Sequence, residues 1–255
     1  MTVTARRRVH CGTEPTPGTT QLTHNAYRIM TQPVRPFGLI LLAMFVLIAA
    51  DSAVAATAPS ALDFGLHLAR MEVTLDDATQ TVNTTVKRIG IVTFDSGRPS
   101  VQPGLAVGYA YVSDDSPAGA GLERQGFYIA PALRGVLLAT QRIMATITGS
   151  YLYQRTKDNN VDQAVTSEWL QAQLDLDLRY RLSGLFNLAL GGHYGRIDVD
   201  EQLSGAVDRT LTRHTGPSLG YHAGLEIDLD EDGQVGISVH HALGDGVELY
   251  FQRQF

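Results

Sequence analysis

Between Leu170 and Leu182 the chain reads LQAQLDLDLRYRL, and Leu170, Ala172, Leu174, Leu176, Leu178, Tyr180 and Leu182 fall on every second position. Gln171, Gln173, Asp175, Asp177, Arg179 and Arg181 fill the gaps. Successive strand side chains point to opposite faces, so this spacing predicts a long strand with one apolar and one polar face. Wound as a helix, the same residues would spread charge around the cylinder and leave no apolar stripe. The alternation recurs in RIMATITGSYLYQ, where Ile143, Ala145, Ile147, Gly149, Tyr151 and Tyr153 oppose Thr146, Thr148, Ser150 and Gln154. In LFNLALGGHYG, Phe186, Leu188, Leu190 and Tyr194 oppose Asn187, Ala189 and His193. In SLGYHAGLEID, Leu219, Tyr221, Ala223, Leu225 and Ile227 oppose Ser218, Gly220, His222, Gly224, Glu226 and Asp228.

Carried along the chain, the pattern predicts ten strands, near 62–74, 82–94, 102–113, 125–137, 142–155, 167–182, 185–199, 213–228, 234–242 and 246–255, with eight as the alternative. No amphipathic helix intervenes. Tight connections (FDSGRPS, LLATQ, LSG, LDEDG) alternate with longer polar ones (SDDSPAGAGLER, RTKDNNVDQAVTS, DEQLSGAVDRTLTR). Such asymmetry is expected of a membrane barrel with short turns at one end and long loops at the other. Two places disturb the pattern. The first two strands alternate poorly, which points to a bulge near Arg70, and Pro131 lacks a donor and predicts a bulge or an earlier turn.

Polar faces rich in small residues, and apolar faces of leucine ending in tyrosine, suit a narrow barrel with a lipid-facing band and interfacial girdles. The alternative is a soluble sandwich or lipocalin-like barrel, whose interior would draw on mixed apolar sizes. The chain's single tryptophan, Trp169, and its rows of leucine argue against that.

Near the N-terminus, the 14-residue apolar run Phe37–Ala50 follows Arg35 and precedes the small-residue site Ala53-Val54-Ala55. This is the layout of a secretory signal peptide cleaved near Ala55 or Ala56, and the run is short of the roughly 20 residues that span a bilayer. Residues 1–29 read as a leader or as sequence ahead of a start at Met30, residues 30–55 as the signal peptide, and residues 56–255 as the barrel. Cys11, the only cysteine, falls outside that barrel, which removes a disulfide framework and thiol chemistry. Residues 1–55 hold five arginines and two acids of the chain's 20 basic and 26 acidic residues, leaving 15 against 24 and a formal charge of −9. A nucleic-acid partner needs a basic stripe and is not expected.

The last strand, GVELYFQRQF, places Val247, Leu249, Phe251 and Phe255 on one face. In this strand and in the signal peptide the sequence resembles the small bacterial outer-membrane β-barrel proteins, whose final strand typically ends in phenylalanine. The resemblance implies a closed antiparallel transmembrane β-barrel in the outer membrane, in contact with outer-membrane lipid. It also implies that Phe251 and Phe255 form the signal read by the barrel-assembly machinery. Arg253 departs from the family pattern, which has an apolar or aromatic residue third from the end; an arginine there can snorkel.

On the predicted inner face lie Asp175, Asp177, Arg179 and Arg181, joined by Arg142, His193, His222, Glu226, His240 and Glu248. An ion network filling the lumen is the first expectation, because buried charges must be paired. A selective water-filled path is the second. Ser238, His240 and Glu248 could form a nucleophile relay, although the order of the histidine and serine is the reverse of that in lipid-hydrolysing barrels. Asp228, Asp230 and Asp232 match the first half of a calcium loop, but Val239 stands where its bidentate glutamate would be. The remaining histidines have no metal-ligand spacing, and neither metal nor cofactor is expected. The sequence therefore predicts a non-enzymatic structural or narrow-pore barrel. A surface-binding module using acidic loops around Asp114–Asp115 and Asp198–Glu201 is one alternative, with its external ligand unknown, and a lipid-acting hydrolase is another.

Overall fold

The computed structural model describes residues 61–76, 80–98, 100–114, 123–159, 163–205, 208–241 and 243–255. The expected leader, signal peptide and Asp115 lie outside the described residues. Among the described residues there are eleven strands: β1 (Leu62–Asp76), β2 (Thr81–Asp95), β3 (Val101–Asp114), β4 (Glu123–Ala139), β5 (Ile143–Asn159), β6 (Gln163–Arg181), β7 (Phe186–Gly205), β8 (Arg209–His214), β9 (Ser218–Asp228), β10 (Gly233–His241) and β11 (Asp245–Gln254). Ten of them form an antiparallel ring in chain order with β8 left out, and β11 closes on β1 from Asp63↔Gln254 to Glu72↔Asp245. The expected all-β closed barrel is thus the fold.

The eleventh strand arises from a split. One strand was expected over 213–228, but β8 pairs with the upper part of β7 (Asp198↔His214 to Leu203↔Arg209) and β9 with its lower part (Phe186↔Ile227 to Gly195↔Ser218). Thr215, Gly216 and Pro217 form the break, where proline cannot donate to a ladder. Beyond the end of the β10–β11 hairpin, β8 spans toward β1 and meets it at Asp76↔His214. The start of β1, the end of β11 and the turns after β2, β4, β6 and β9 share one end of the ring, the terminal end. Hydroxyl groups close two of those turns: Thr140 Oγ1 accepts from the Ile143 N–H at 2.9 Å, and Ser183 Oγ from the Phe186 N–H at 3.2 Å.

The opposite end differs from expectation. RTKDNNVDQAVTS and DEQLSGAVDRTLTR are mostly strand, because β5 runs on to Asn159, β6 begins at Gln163 and β7 continues to Gly205. The ring itself extends where loops were predicted.

This extension explains the poor alternation of β1. Its pairing with β2 runs from Leu62↔Asp95 to Asp76↔Thr81 without a register shift, so no bulge occurs at Arg70. What changes is the chemistry on each face. Outward Leu62, Phe64, Leu66 and Leu68 give way to Arg70, Glu72 and Thr74, while inward Asp63 and His67 give way to Met71, Val73 (1% exposed) and Leu75 (0% exposed). On β1 the terminal half is therefore apolar outside and polar inside, and the far half is the reverse. Pro131 also causes no shift: it stays in register opposite Leu105, and the β4–β5 ladder resumes unchanged after it. The bulge lies between Val136 and Leu138 instead.

Around the terminal half the outer face is a continuous apolar girdle, with Ile89, Leu105, Leu176, Leu225, Ile237 and Leu249 among its exposed members. A closed ring leaves no ladder group unpaired, so this girdle suits hydrocarbon as its solvent. Leu176 is 53% exposed at mid-girdle. Leu176→Arg is expected to lower folding stability in liposomes by roughly 2–4 kcal/mol, the cost of a midplane cation. Thr85→Arg, outside the girdle, should change it by less than about 0.5 kcal/mol, as a surface substitution does. Equal urea midpoints for the two variants would place the bilayer elsewhere.

Candidate functional site

The lumen is filled in layers, each built from inward positions at one height of the ring. At the terminal end an open vestibule of about 740 Å³ is walled by Asp63, Gln102, Arg134, Arg181, Asp228 and Gln252, among others. Arg134 pairs with Asp63 and donates from Nε to Gln102 Oε1 at 2.6 Å, and Arg181 stands 3.7 Å from Asp228. Above it, Arg179 donates to Glu226 Oε1 at 2.8 Å, and the Tyr250 hydroxyl donates to the same oxygen at 2.6 Å.

A second cavity, of about 310 Å³, shares Arg134, Thr146, Arg179 and Gln252 with the vestibule and reaches His67, Asp175, Asp177, His222, His240 and Glu248. Here His222 Nε2 lies 2.8 Å from Asp177, while Gln173 donates to Asp175 at 2.6 Å. His67 Nδ1 is hydrogen-bonded to Glu248, whose other oxygen is 3.4 Å from His240 Nε2. His193, only 3% exposed, stacks on His222 with ring planes 6° apart. Glycines make room for these rings: Gly220 sits opposite His193 and Gly191 opposite His222, and a Cβ at either would collide with the facing imidazole.

Over the histidines, Arg88 donates to Gln154 at 2.9 Å and Gln171 at 3.2 Å. Then comes an apolar layer of Val73, Leu75, Val86, Val112, Trp169, Ile197 and Val199, joined by Leu243 from the tip of the β10–β11 hairpin. Beyond it lies a fully buried ionic layer in which Arg124 and Arg213 face Asp114 and Glu201. Val165, Leu203 and Leu211 cover that layer.

Most residues singled out from sequence do face inward. Asp175, Asp177, Arg179, His222, Glu226, His240 and Glu248 line one polar compartment, His193 packs behind it against His222, and Arg181 lies at its mouth. Arg142 is a correction: it sits exposed in the turn after β4, because β5 begins only at Ile143. Two of the acidic residues assigned to outer contact loops are a second correction, while Asp198 and Asp200 stay on the outward face of β7. Asp114 and Glu201 point inward and are nearly inaccessible, held by Arg124 and Arg213.

Ser238 Oγ lies 2.8 Å from His240 Nε2, the same nitrogen that Glu248 approaches. A relay needs the nucleophile and the carboxylate on opposite ring nitrogens, so these three residues adjoin without forming one. In the β9–β10 turn, Asp230 accepts from the Asp232 N–H at 3.0 Å and pairs with Arg253 at 3.2 Å. The backbone N–H of Asp232 holds the Asp230 carboxyl below its ordinary range. Asp228 instead accepts from Asn187 at 2.8 Å, so the three aspartates serve a turn and neighbouring cations, not a shared centre. Arg253 points outward and bends to the turn, its guanidinium 5.9 Å from the Phe255 ring centroid.

Sequence reasoning missed the apolar and ionic layers, the contributions of His67 and Tyr250, and the gathering of the histidines. The first had a signal in RMEVTLD, where the polarity of the two faces exchanges. The last had none, since His193, His222 and His240 come from three strands and meet only through register.

No protein-family model matches the chain, and no curated protein sequence matches it. Among solved structures, the chain is similar to the outer membrane protease OmpT from Escherichia coli, at 11% identity over 78% of this chain and 95% of that one, with a TM-score of 0.43. It is similar also to an outer membrane channel from Pseudomonas putida F1, at 10% identity over 78% and 97% with a TM-score of 0.42. A third is Neisserial surface protein A, at 9% identity over 77% and 100% with a TM-score of 0.41. These likenesses carry no activity over to the chain.

Proposed function

We propose that this chain is a non-enzymatic outer-membrane barrel, sealed against through-flow, with its terminal end toward the periplasm and the far half of the ring projecting outside. The carrying observation is the apolar layer around Trp169, which is 0% exposed, as are Leu75, Val86, Ile197 and Val199. Ions crossing the lumen would have to shed water there against a lining that is mostly apolar and closely packed. The ionic layer beyond adds a second closure, since each of its charges is already engaged. Short turns, the start of β1 and the end of β11 at one end of the ring support the orientation. The closing strand supports the assembly role of Phe251 and Phe255: the backbones of Phe255 and Leu62 exchange hydrogen bonds of 2.9 and 3.0 Å, so the aromatic strand end is also the seam of the ring.

In planar bilayers the inserted protein is expected to give no discrete conductance, and Asp175→Asn/Asp177→Asn should leave that silence unchanged. Insertion is checked independently by the faster migration of the folded barrel on an unboiled gel. Openings in the wild-type protein with an ion preference altered by the double variant would instead establish a pore lined by those aspartates, and the sealed reading would fall.

A further inference from the structure

We propose that His193, His222 and His240 bind a divalent first-row transition cation of the zinc class inside the barrel. Adjacent strands β7, β9 and β10 supply the three imidazoles, and one ring nitrogen from each lies within 4.8 Å of the others. His222 and His240 are direct register partners. A zinc ion with bonds of about 2.0–2.1 Å draws its nitrogens to about 3.3 Å apart, a closing that side-chain torsions can supply.

A second observation stands apart from the clustering. Buried polar atoms are ordinarily satisfied, yet His193 is buried with neither ring nitrogen bonded among the described residues, and Nδ1 of His222 is likewise unpartnered. Asp177 occupies the other nitrogen of His222. Carboxylates on the far nitrogen are how ligating histidines are commonly held in tautomer and orientation; on His240, Ser238 Oγ at 2.8 Å and Glu248 at 3.4 Å both lie at Nε2, so Nδ1 would be its ligand atom. Asp177 and Glu248, beside His222 and His240, supply negative charge that a dication requires. Imidazole donors select zinc, cobalt, nickel or copper over magnesium and calcium, which take oxygen. The glycines at 191 and 220 leave space for the rings, and the cavity that His222 and His240 line shares wall residues with the vestibule at the terminal end. Three protein ligands would leave a fourth coordination position open. The site depends neither on the seal nor on the orientation proposed above, so a conducting barrel would leave it standing.

Titrating the detergent-refolded protein with cobalt(II) chloride tests the site. A single saturable equivalent with the visible spectrum of four-coordinate cobalt is expected, displaced by zinc sulfate. It should vanish in His193→Gln, His222→Gln and His240→Gln, and persist in His241→Gln, an exposed histidine outside the cluster. Asp177→Asn should weaken binding by roughly 10- to 100-fold, as loss of a carboxylate behind a ligating histidine does. Folding of every variant is checked by unboiled-gel migration. Should the histidine variants not fold, the native protein decides alone: bound zinc should protect three histidines from diethyl pyrocarbonate. No saturable cobalt binding by folded native protein, or a spectrum unchanged in the folded His193→Gln/His240→Gln variant, would overturn the proposal. So would the absence of zinc protection.

Discussion

Truncating Arg124 to alanine is expected to destabilise the barrel by roughly 3–5 kcal/mol, the scale for removing one partner from a buried ion pair. Arg124 Nη1 donates to Ser167 at 3.0 Å and to Glu201, while Nη2 donates to Asp114 at 2.8 Å. Arg213 reaches Glu201 at 2.9 Å and Asp114 at 3.4 Å. With Arg124 gone, two buried carboxylates would share one guanidinium, out of reach of water. Replacing all four charged residues by apolar ones of similar volume removes the desolvation penalty together with the attraction, and is expected to be neutral or stabilising by about 1–4 kcal/mol. Urea unfolding of the liposome-refolded protein measures both, provided the denaturant slope stays constant. An unchanged midpoint in Arg124→Ala, or a fourfold variant less stable than Arg124→Ala, would rule out a costly buried ion pair at this layer.

The second large effect is expected at Trp169. Trp169→Ala should cost about 3–5 kcal/mol, because it forfeits the transfer free energy of the indole and leaves a void among Val86, Ile197 and Val199. Trp169→Phe should cost only a fraction of that. The indole Nε1 is buried without a partner among the described residues, so phenylalanine discards an unsatisfied donor while keeping most of the ring packing. Comparing urea midpoints of the two variants separates packing from polarity. Equal losses would mean that the N–H group matters, against the packing argument.

How far the barrel could be read from sequence varied along the chain for a physical reason. Alternation is a local property, so the leucine face of 170–182 and the inward row Asp175, Asp177, Arg179 were legible wherever one solvent lay outside. Where a strand passes from bilayer to water, the same geometry demands the opposite chemistry, and β1 then reads as irregular although its pairing is continuous. Polar letters were likewise misread as loops: Asp114 and Glu201 suggest solvent until Arg124 and Arg213 are seen to face them. Arg142 differs from its neighbours only because β5 starts one residue later, and nothing local to the chain marks that boundary.

The sequence by itself determined the all-β class, the faces of the central strands, the small residues of the lumen and the aromatic closing strand, since a period of two and turn composition are written residue by residue. Only the tertiary structure decided that the ring closes from β11 to β1, that β8 breaks away from β9, and that the far half carries a soluble-type core. It also decided which inward groups meet. Register joins residues tens to more than a hundred positions apart, and an ion layer or a cluster of three histidines exists only once those strands lie side by side.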